Sequence, residues 1–498
     1  MVEIPFPQKR IVRRNFLGRF ASAGLAGALT SPVTVPSILP ARNLNERLRV
    51  GFIGTGGRAN THLRVVISLQ KETNQVEAAA VCDVYRLHRK WAYERIEKAT
   101  GRAPLVFEDY RELLEKADID IVCIATPDHW HARQTLDALA SGKHVYCEKP
   151  MTHTIDESLA VVDAWEKTGK VVQVGVQRAS DPRWQAAYRF LCEGRIGKVV
   201  QIQTEYYRNS RVGQWRYYKL TRDMTPQNIN WQKFLGVEEG LAPNLPFDRA
   251  YYAQWRCYWA FSHGIFSDLF VHRITWMLLA SGLRFPRRVV AGGGIFMEYD
   301  GREVPDTATL VADYEEGVQL LIAATMLNAY PFEHCIRGFL GTVKFDLAAD
   351  GFDWVPERPQ ITGTFQWEGE HVAAPRPQDD TQAHWENFLE AIRQDNPRLC
   401  TNPPDVGAAA TVTALLGAMS YRTGKVFEWD KELRKPKESG PEYAAHWESL
   451  SRNRSAPRQI PGWDPLNKDP NFSRQQPPEW QSLAGPWSDE QTDPAAQR

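Results

Sequence analysis

Gly54, Gly56 and Ala59 fall in a G-x-G-x-x-A spacing directly after the apolar run Leu48 to Ile53. The chemistry such a spacing serves is the binding of a dinucleotide. Gly54 permits a tight turn, Gly56 lets backbone approach a pyrophosphate with no Cβ between them, and Ala59 lets a helix pack closely on the strand. A helix starting here aims its first amides and its positive dipole end at the phosphates. Thr55, Gly57 and Arg58 belong to the same turn. A second apolar run, Val76 to Val81, leads to Asp83. A carboxylate in that place holds a ribose 2′-hydroxyl and repels a 2′-phosphate, so NAD is expected rather than NADP. Arg86, close behind Asp83, weakens that preference slightly.

An alternating α/β pattern supplies the scaffold for this turn. Helices are expected over Leu87–Thr100, closed by Gly101, and over Tyr110–Lys116. Pro104–Phe107 reads as a short strand, and Asp120–Ala125 as a buried parallel strand rich in β-branched residues. Thr126 and Pro127 follow, with Asp128 placed to cap a helix running to Ala140. His144–Cys147 is a further strand, ending at Glu148-Lys149-Pro150; a helix over Thr154–Thr168 and a strand over Val171–Val174 complete the region. Beyond Gln177 the periodicity becomes that of an antiparallel sheet. Strands are expected at Lys198–Arg208, Arg288–Phe296, Thr307–Tyr314, Val318–Asn328 and Cys335–Asp346. A Trp-rich insert occupies 209–262, and helices are expected over His384–Gln394 and Val406–Thr423. The fold class is therefore α/β: a Rossmann domain over 47–176, then an α+β domain over 177–430 with an open, mainly antiparallel sheet. A polar, proline-rich tail is expected over 431–498.

The 498 residues carry 60 basic and 60 acidic side chains, and this balance leaves no footprint for nucleic acid or an anionic membrane. The seven cysteines show no C-x-x-C spacing, so neither a metal site nor a disulfide framework is expected. At the amino terminus Arg13-Arg14-Asn15-Phe16-Leu17 matches a twin-arginine export core, within a signal segment read over 1–40. The apolar stretch Phe20–Leu29 after it is too short to span a bilayer. Export to the periplasm is expected, the alternative being a cytoplasmic protein with a basic extension.

Taken together, Gly54-Thr-Gly-Gly-Arg-Ala59, Ala125-Thr-Pro127 with His131, and Gly142-Lys-His-Val-Tyr-Cys-Glu-Lys-Pro150 resemble the Gfo/Idh/MocA oxidoreductases. The resemblance extends to Asp268-x-x-x-His272, to His384-Trp-Glu-Asn-Phe-Leu389, and to the Trp255-Arg256 pair of exported bacterial members. It implies that Lys149, Asp268 and His272 oxidise a sugar or polyol hydroxyl, passing hydride to NAD. It also implies a homo-oligomer. Thr126, Pro127, His131, Glu148, Trp255 and Arg256 would border the cofactor, although His131 reads equally well as a packing residue. The residue chemistry agrees with these roles. Imidazole, with an ordinary pKa of about 6.5, exchanges protons near neutrality. Asp268, one helical turn before His272, is placed to orient the ring, so Asp268→Asn is expected to cost less than His272→Ala. Lys149 polarises the alcohol oxygen. Three activities fit this set: a sugar or polyol dehydrogenase, a redox-neutral glycosidase or epimerase that returns the hydride, and a sugar-binding protein without catalysis.

Overall fold

In the computed structural model, which describes residues 47–358 and 368–440, the β-branched runs become a six-stranded parallel sheet. Its strands are β1 (Leu48–Ile53), β2 (Val76–Cys82), β3 (Leu105–Phe107), β4 (Ile121–Ile124), β5 (His144–Glu148) and β6 (Val172–Gly175). Their order, β3-β2-β1-β4-β5-β6, reverses between β1 and β4 and opens a crevice at their carboxyl ends. Helices α1 (Gly57–Thr73), α2 (Arg86–Thr100), α3 (Tyr110–Lys116), α4 (Asp128–Ala140) and α5 (Ile155–Thr168) alternate with the strands. Helix α5 shows its local cause plainly: Thr154 and Glu157 form a reciprocal capping box, and Gly169 closes the helix. Helix α1 is the opposite case. It starts from Gly56 with no side-chain cap and no acidic residue in its first turn, so its leading amides stay free for a ligand.

The second sheet has ten strands. From edge to edge they are Glu370–Val372, Phe352–Pro356, Gly341–Phe345, His334–Gly338, Val199–Glu205, Val318–Thr325, Thr307–Tyr314, Arg288–Gly294, Phe427–Asp430 and Lys435–Glu438. Val199–Glu205 and Val318–Thr325 run parallel, and the other pairs are antiparallel. The run Cys335–Asp346, expected as one strand, is a hairpin that turns at Phe339 and Leu340. Gly338 explains the break: a Cβ there would lie 2.1 Å from the Ile196 carbonyl oxygen, and the register shifts at that residue. Two other long strands end early. Arg208–Asn209 and Leu327–Asn328 leave the main sheet and pair with each other. The polar segment expected as tail begins inside the sheet, because Lys435–Glu438 pairs with Phe427–Asp430. The amino-terminal export motif and the chain beyond residue 440 lie outside the described residues. Among the described residues, no helix is long and apolar enough to cross a membrane.

After building the second sheet, the chain returns to the first. The helix Asp380–Arg393 places Trp385, Phe388 and Leu389 in the core of the parallel sheet, beside Val66 and Tyr146. The Trp385 ring stacks on Tyr146 with centroids 4.6 Å apart, and its indole N–H donates to His62 Nδ1 at 2.9 Å.

Two fully buried histidines make this fold acid-sensitive. Burial pushes both His129 and His384 down to about 4, against about 6.5 in an unfolded chain. The unfolded state therefore binds more protons between those values. Stability from this source is complete above pH 6.5 and is lost as pH falls toward 4, at about 2–3 kcal/mol per pH unit near pH 5 for the two groups. Urea midpoints at pH 7, 5.5 and 4.5 measure the slope; midpoints that do not move between pH 7 and 4.5 would contradict it.

Candidate active site

A cleft of about 550 Å³ lies at the carboxyl ends of β1, β4 and β5. The glycine turn forms one wall. Gly54 has φ +79°, and a Cβ on it would meet the Ala125 and Thr126 backbone at 2.8 Å, so the turn fits there only as glycine. Gly56, Gly57 and Arg58 border the cleft, and no atom of the described residues lies within 4 Å of where a Gly57 Cβ would sit. Thr55 and Ala59 face elsewhere: Thr55 donates its backbone N–H to Asp83, and Ala59 is buried beneath the helix. Arg58 Nε donates to Glu148 Oε1 at 2.8 Å, while its Nη2 is buried without a partner among the described residues. Free helix amides, an open cradle and one orphaned guanidinium nitrogen suit a pyrophosphate.

Asp83 closes the far end of this wall. Its Oδ1 accepts the Tyr85 N–H at 2.8 Å, and its Oδ2 accepts the Thr55 N–H at 2.7 Å. Burial alone would raise its pKa, but His88 and these amides hold the carboxyl below its usual value. The charge stays in place to repel a 2′-phosphate. Asp83→Ser is expected to weaken NAD binding by about 10–100-fold, the loss of a hydrogen bond to a charged group, and to narrow the gap to NADP. Fluorescence titration with both nucleotides reads the change, and an unaltered ratio would remove Asp83 from cofactor choice.

Two residues expected to border NAD line the cleft and are also tied to neighbouring side chains and loops. Glu148 sits beneath the turn, where its Oε1 accepts from Arg58, from His62 Nε2 at 2.8 Å and from Gln177 at 2.7 Å. Burial opposes its ionisation, and Arg58 with His62 holds it well below the carboxylate range. It positions Arg58. His131 borders the cleft, but its two nitrogens face the carbonyls of Pro150 at 2.6 Å and Thr126 at 2.9 Å, tying the Thr126-Pro127 and Lys149-Pro150 loops together. Asp128 does not cap α4 as expected. Its carboxylate turns toward the second sheet's domain and accepts from Ser262 Oγ at 2.7 Å and Ser267 Oγ at 3.2 Å, and Pro127 begins the helix instead.

The expected catalytic residues converge at the next turn of chain. Ile265–Phe270 is a single π-helical segment leading into the α-helix Val271–Ser281. Such segments are frequent at functional sites. Lys149 Nζ donates to the Asp268 backbone carbonyl at 2.9 Å and also to its Oδ1. Arg256 Nε donates to the same oxygen at 2.9 Å, and Trp215 Nε1 donates to Oδ2 at 2.9 Å. Arg256 is itself held over the Trp255 ring, 4.0 Å from its centroid. Burial works against the Asp268 carboxylate, but Lys149 and Arg256 overcome it and hold the group far below its usual pKa.

His272 departs from expectation. Neither of its nitrogens has a hydrogen-bond partner among the described residues, and Asp268 does not orient it. Two cations and an indole have taken both Asp268 oxygens. The His272 ring lies between Tyr206 and Trp276, with centroids 6.0 and 6.4 Å away. Burial, then the Lys149 charge, pushes it well below the usual imidazole value, so the ring is neutral. Trp215 is the site residue that sequence reasoning missed. It is fully buried with φ +64°, a conformation rare for a bulky residue, and it sits in a stretch legible only as tryptophan-rich.

A dinucleotide cleft on a parallel sheet, with a lysine held by a carboxylate from a second, open-sheet domain, suits NAD-dependent hydride chemistry. Residues 48–176 match the oxidoreductase family's NAD-binding Rossmann fold, and residues 242–344 match the Gfo/Idh/MocA C-terminal domain. Two segments of the chain thus match the two domains of the Gfo/Idh/MocA family. An α-N-acetylgalactosaminidase from Shewanella oneidensis is 30% identical over 240 residues, which cover 43% of this chain and 51% of that protein. The chain spans about half the length of the curated relatives it matches. The WlbA dehydrogenase of Bordetella pertussis, solved with NADH and UDP-GlcNAcA, superposes with a TM-score of 0.56 at 19% identity, covering 77% of this chain and 99% of its own. UDP-N-acetylglucosamine 3-dehydrogenase from Acidithiobacillus ferrooxidans superposes with a TM-score of 0.52 at 19% identity, covering 75% and 98%. These two likenesses establish the fold.

Proposed function

We propose that the protein oxidises a hydroxyl of a sugar, polyol or glycoside with NAD held in the cleft. The observation that carries this is Lys149, pinned by Asp268 at the mouth of the cleft and close enough to His272 to depress its pKa. An ammonium has three donors. Asp268 takes two of those on Lys149, leaving one for the substrate oxygen. Neutral His272 is in the form that accepts the hydroxyl proton. Asp268 and Trp215 position Lys149 and do not touch the substrate. Bound NAD supplies the hydride acceptor.

The glycosidase relatives favour a closed cycle, in which the hydride returns to the sugar after a bond is cleaved. Export through Arg13 and Arg14 points the same way, because a folded protein leaving the cytoplasm with its NAD loses the enzymes that reoxidise NADH. One experiment separates the two outcomes. Purified enzyme is incubated with a glycoside panel in D₂O while absorbance at the NADH band and product release are followed together. Net NADH assigns a dehydrogenase, and product without NADH, with the carbon-bound hydrogen retained, assigns the closed cycle. Neither NADH nor product, with NAD bound, would remove the proposal.

A further inference from the structure

Beyond the Lys149–Asp268 centre, the side of His272 facing the second sheet carries three stacked guanidiniums. Arg273 lies between two rings, its guanidinium carbon 4.5 Å from the centroids of both Tyr206 and Trp276. Arg208 covers Tyr206 at 5.8 Å, and Arg178 covers Trp276 at 5.8 Å. Cation and ring alternate through five side chains, and the two rings are those that flank His272.

The negative charge nearby is committed elsewhere. Arg178 pairs with Asp380 at 3.0 Å. Glu205, the acid whose charge acts on Arg273, gives its carboxylate to His334 at 3.1 Å and to the Tyr207 N–H. Among the described residues, Arg273 hydrogen-bonds only the Glu205 backbone carbonyl, through Nε at 2.8 Å. Neither Arg208 nor Arg273 makes an ion pair among the described residues. Burial, together with the Arg178 and Arg208 charges, brings Arg273 down to about 10 from an ordinary 12.5. An anion would relieve that strain.

Stacking also fixes how the anion would be met. A guanidinium lying face-on to a ring keeps its N–H groups in plane, pointing outward at the edge. Arg273 has five donors and one commitment, and the outer edge of a guanidinium forks onto two oxygens of a carboxylate, sulfate or phosphate. Pure packing against Tyr206 and Trp276 requires no such free edge.

We infer that the sugar this enzyme takes carries an anionic substituent, a carboxylate or a sulfate or phosphate ester, bound by Arg273 and Arg208 beside His272. The inference rests on the sugar-oxidising reading above and narrows it to acidic sugars.

Calorimetric titration of the NAD-loaded protein tests it. The probes are glucuronate, galacturonate and mannuronate, the 6-sulfates and 6-phosphates of glucose and galactose, and neutral glucose, galactose and mannose. At least one acidic probe is expected to bind more than tenfold tighter than its neutral counterpart. Raising the salt concentration should shrink the gap. Arg273→Gln should abolish it, Arg208→Gln should reduce it, and Arg273→Lys should restore part of it. Which acid wins distinguishes a uronate from an ester. Thermal midpoints accompany each variant, and if Arg273→Gln lowers its midpoint, Arg208→Gln carries the comparison. Neutral sugars binding as tightly as acids overturns the inference, as does a preference indifferent to both arginines, or no binding by any probe. Arginine-dependent binding without hydrogen exchange with NAD would keep the anion site and discard the sugar-oxidising reading. Turnover confined to neutral sugars would do the reverse.

Discussion

Changing His272 to alanine is expected to lower kcat by about 10²–10⁴, the usual contribution of a general base, while NAD stays bound. The ring is not among the residues that line the nucleotide cleft, and no hydrogen bond among the described residues is lost with it. Fold and cofactor affinity should therefore survive, and kcat measured beside an NAD titration separates chemistry from binding. The depressed pKa adds a sharper signature. The base works when neutral, and burial with Lys149 moves its protonation well below the ordinary 6.5. For the wild type, kcat/KM should stay level as pH falls through 6.5 and drop only at more acid values. An acid limb at or above 6.5 would assign the base to another group, and wild-type kcat in the alanine variant would remove His272 from the mechanism. Lys149→Ala should show a loss of the same order, with Asp268 still paired to Arg256.

Asp268→Asn is expected to destabilise the fold more than His272→Ala does, an effect separate from the order of the two in turnover. The carboxylate neutralises two cations at once, and its variant leaves Lys149 and Arg256 facing an amide. Removing one member of a buried charge cluster costs about 3–5 kcal/mol. A single carbonyl oxygen is then left for three donors, and the amide's own N–H₂ faces at least one of them. Urea midpoints for the two variants give the comparison directly. If Asp268→Asn were no less stable than His272→Ala, the charge cluster would not be what fixes Lys149.

The nucleotide half was legible because its chemistry is local. Gly54, Gly56 and Asp83 are read from strand ends and turn geometry, and the structure puts all three on one cleft. The strands that were misjudged share a cause. Cys335–Asp346 keeps its alternation through the turn at Phe339 and Leu340, so period alone cannot show the reversal that Gly338 permits. At the catalytic turn the missing knowledge was long-range. The i,i+4 spacing of Asp268 and His272 is a local fact, whereas Trp215 and Arg256 reach Asp268 from 53 and 12 positions away. No periodicity announces that competition. Asp128 was misread for the same reason, since the hydroxyls that draw it off its helix end belong to Ser262 and Ser267.

The parallel sheet is complete in sequence at Gly175, yet Trp385, Phe388 and Leu389 fill part of its core. A ribosome making this chain delivers the glycine turn first and the aromatic wedge only long after it. Until the wedge arrives, Tyr146 lacks its stacking partner and His62, which braces Glu148 and through it Arg58, lacks the Trp385 indole N–H. A firm grip on the nucleotide therefore waits for the wedge. For machinery that must tell folded chains from partial ones, bound NAD would mark the wedge as seated.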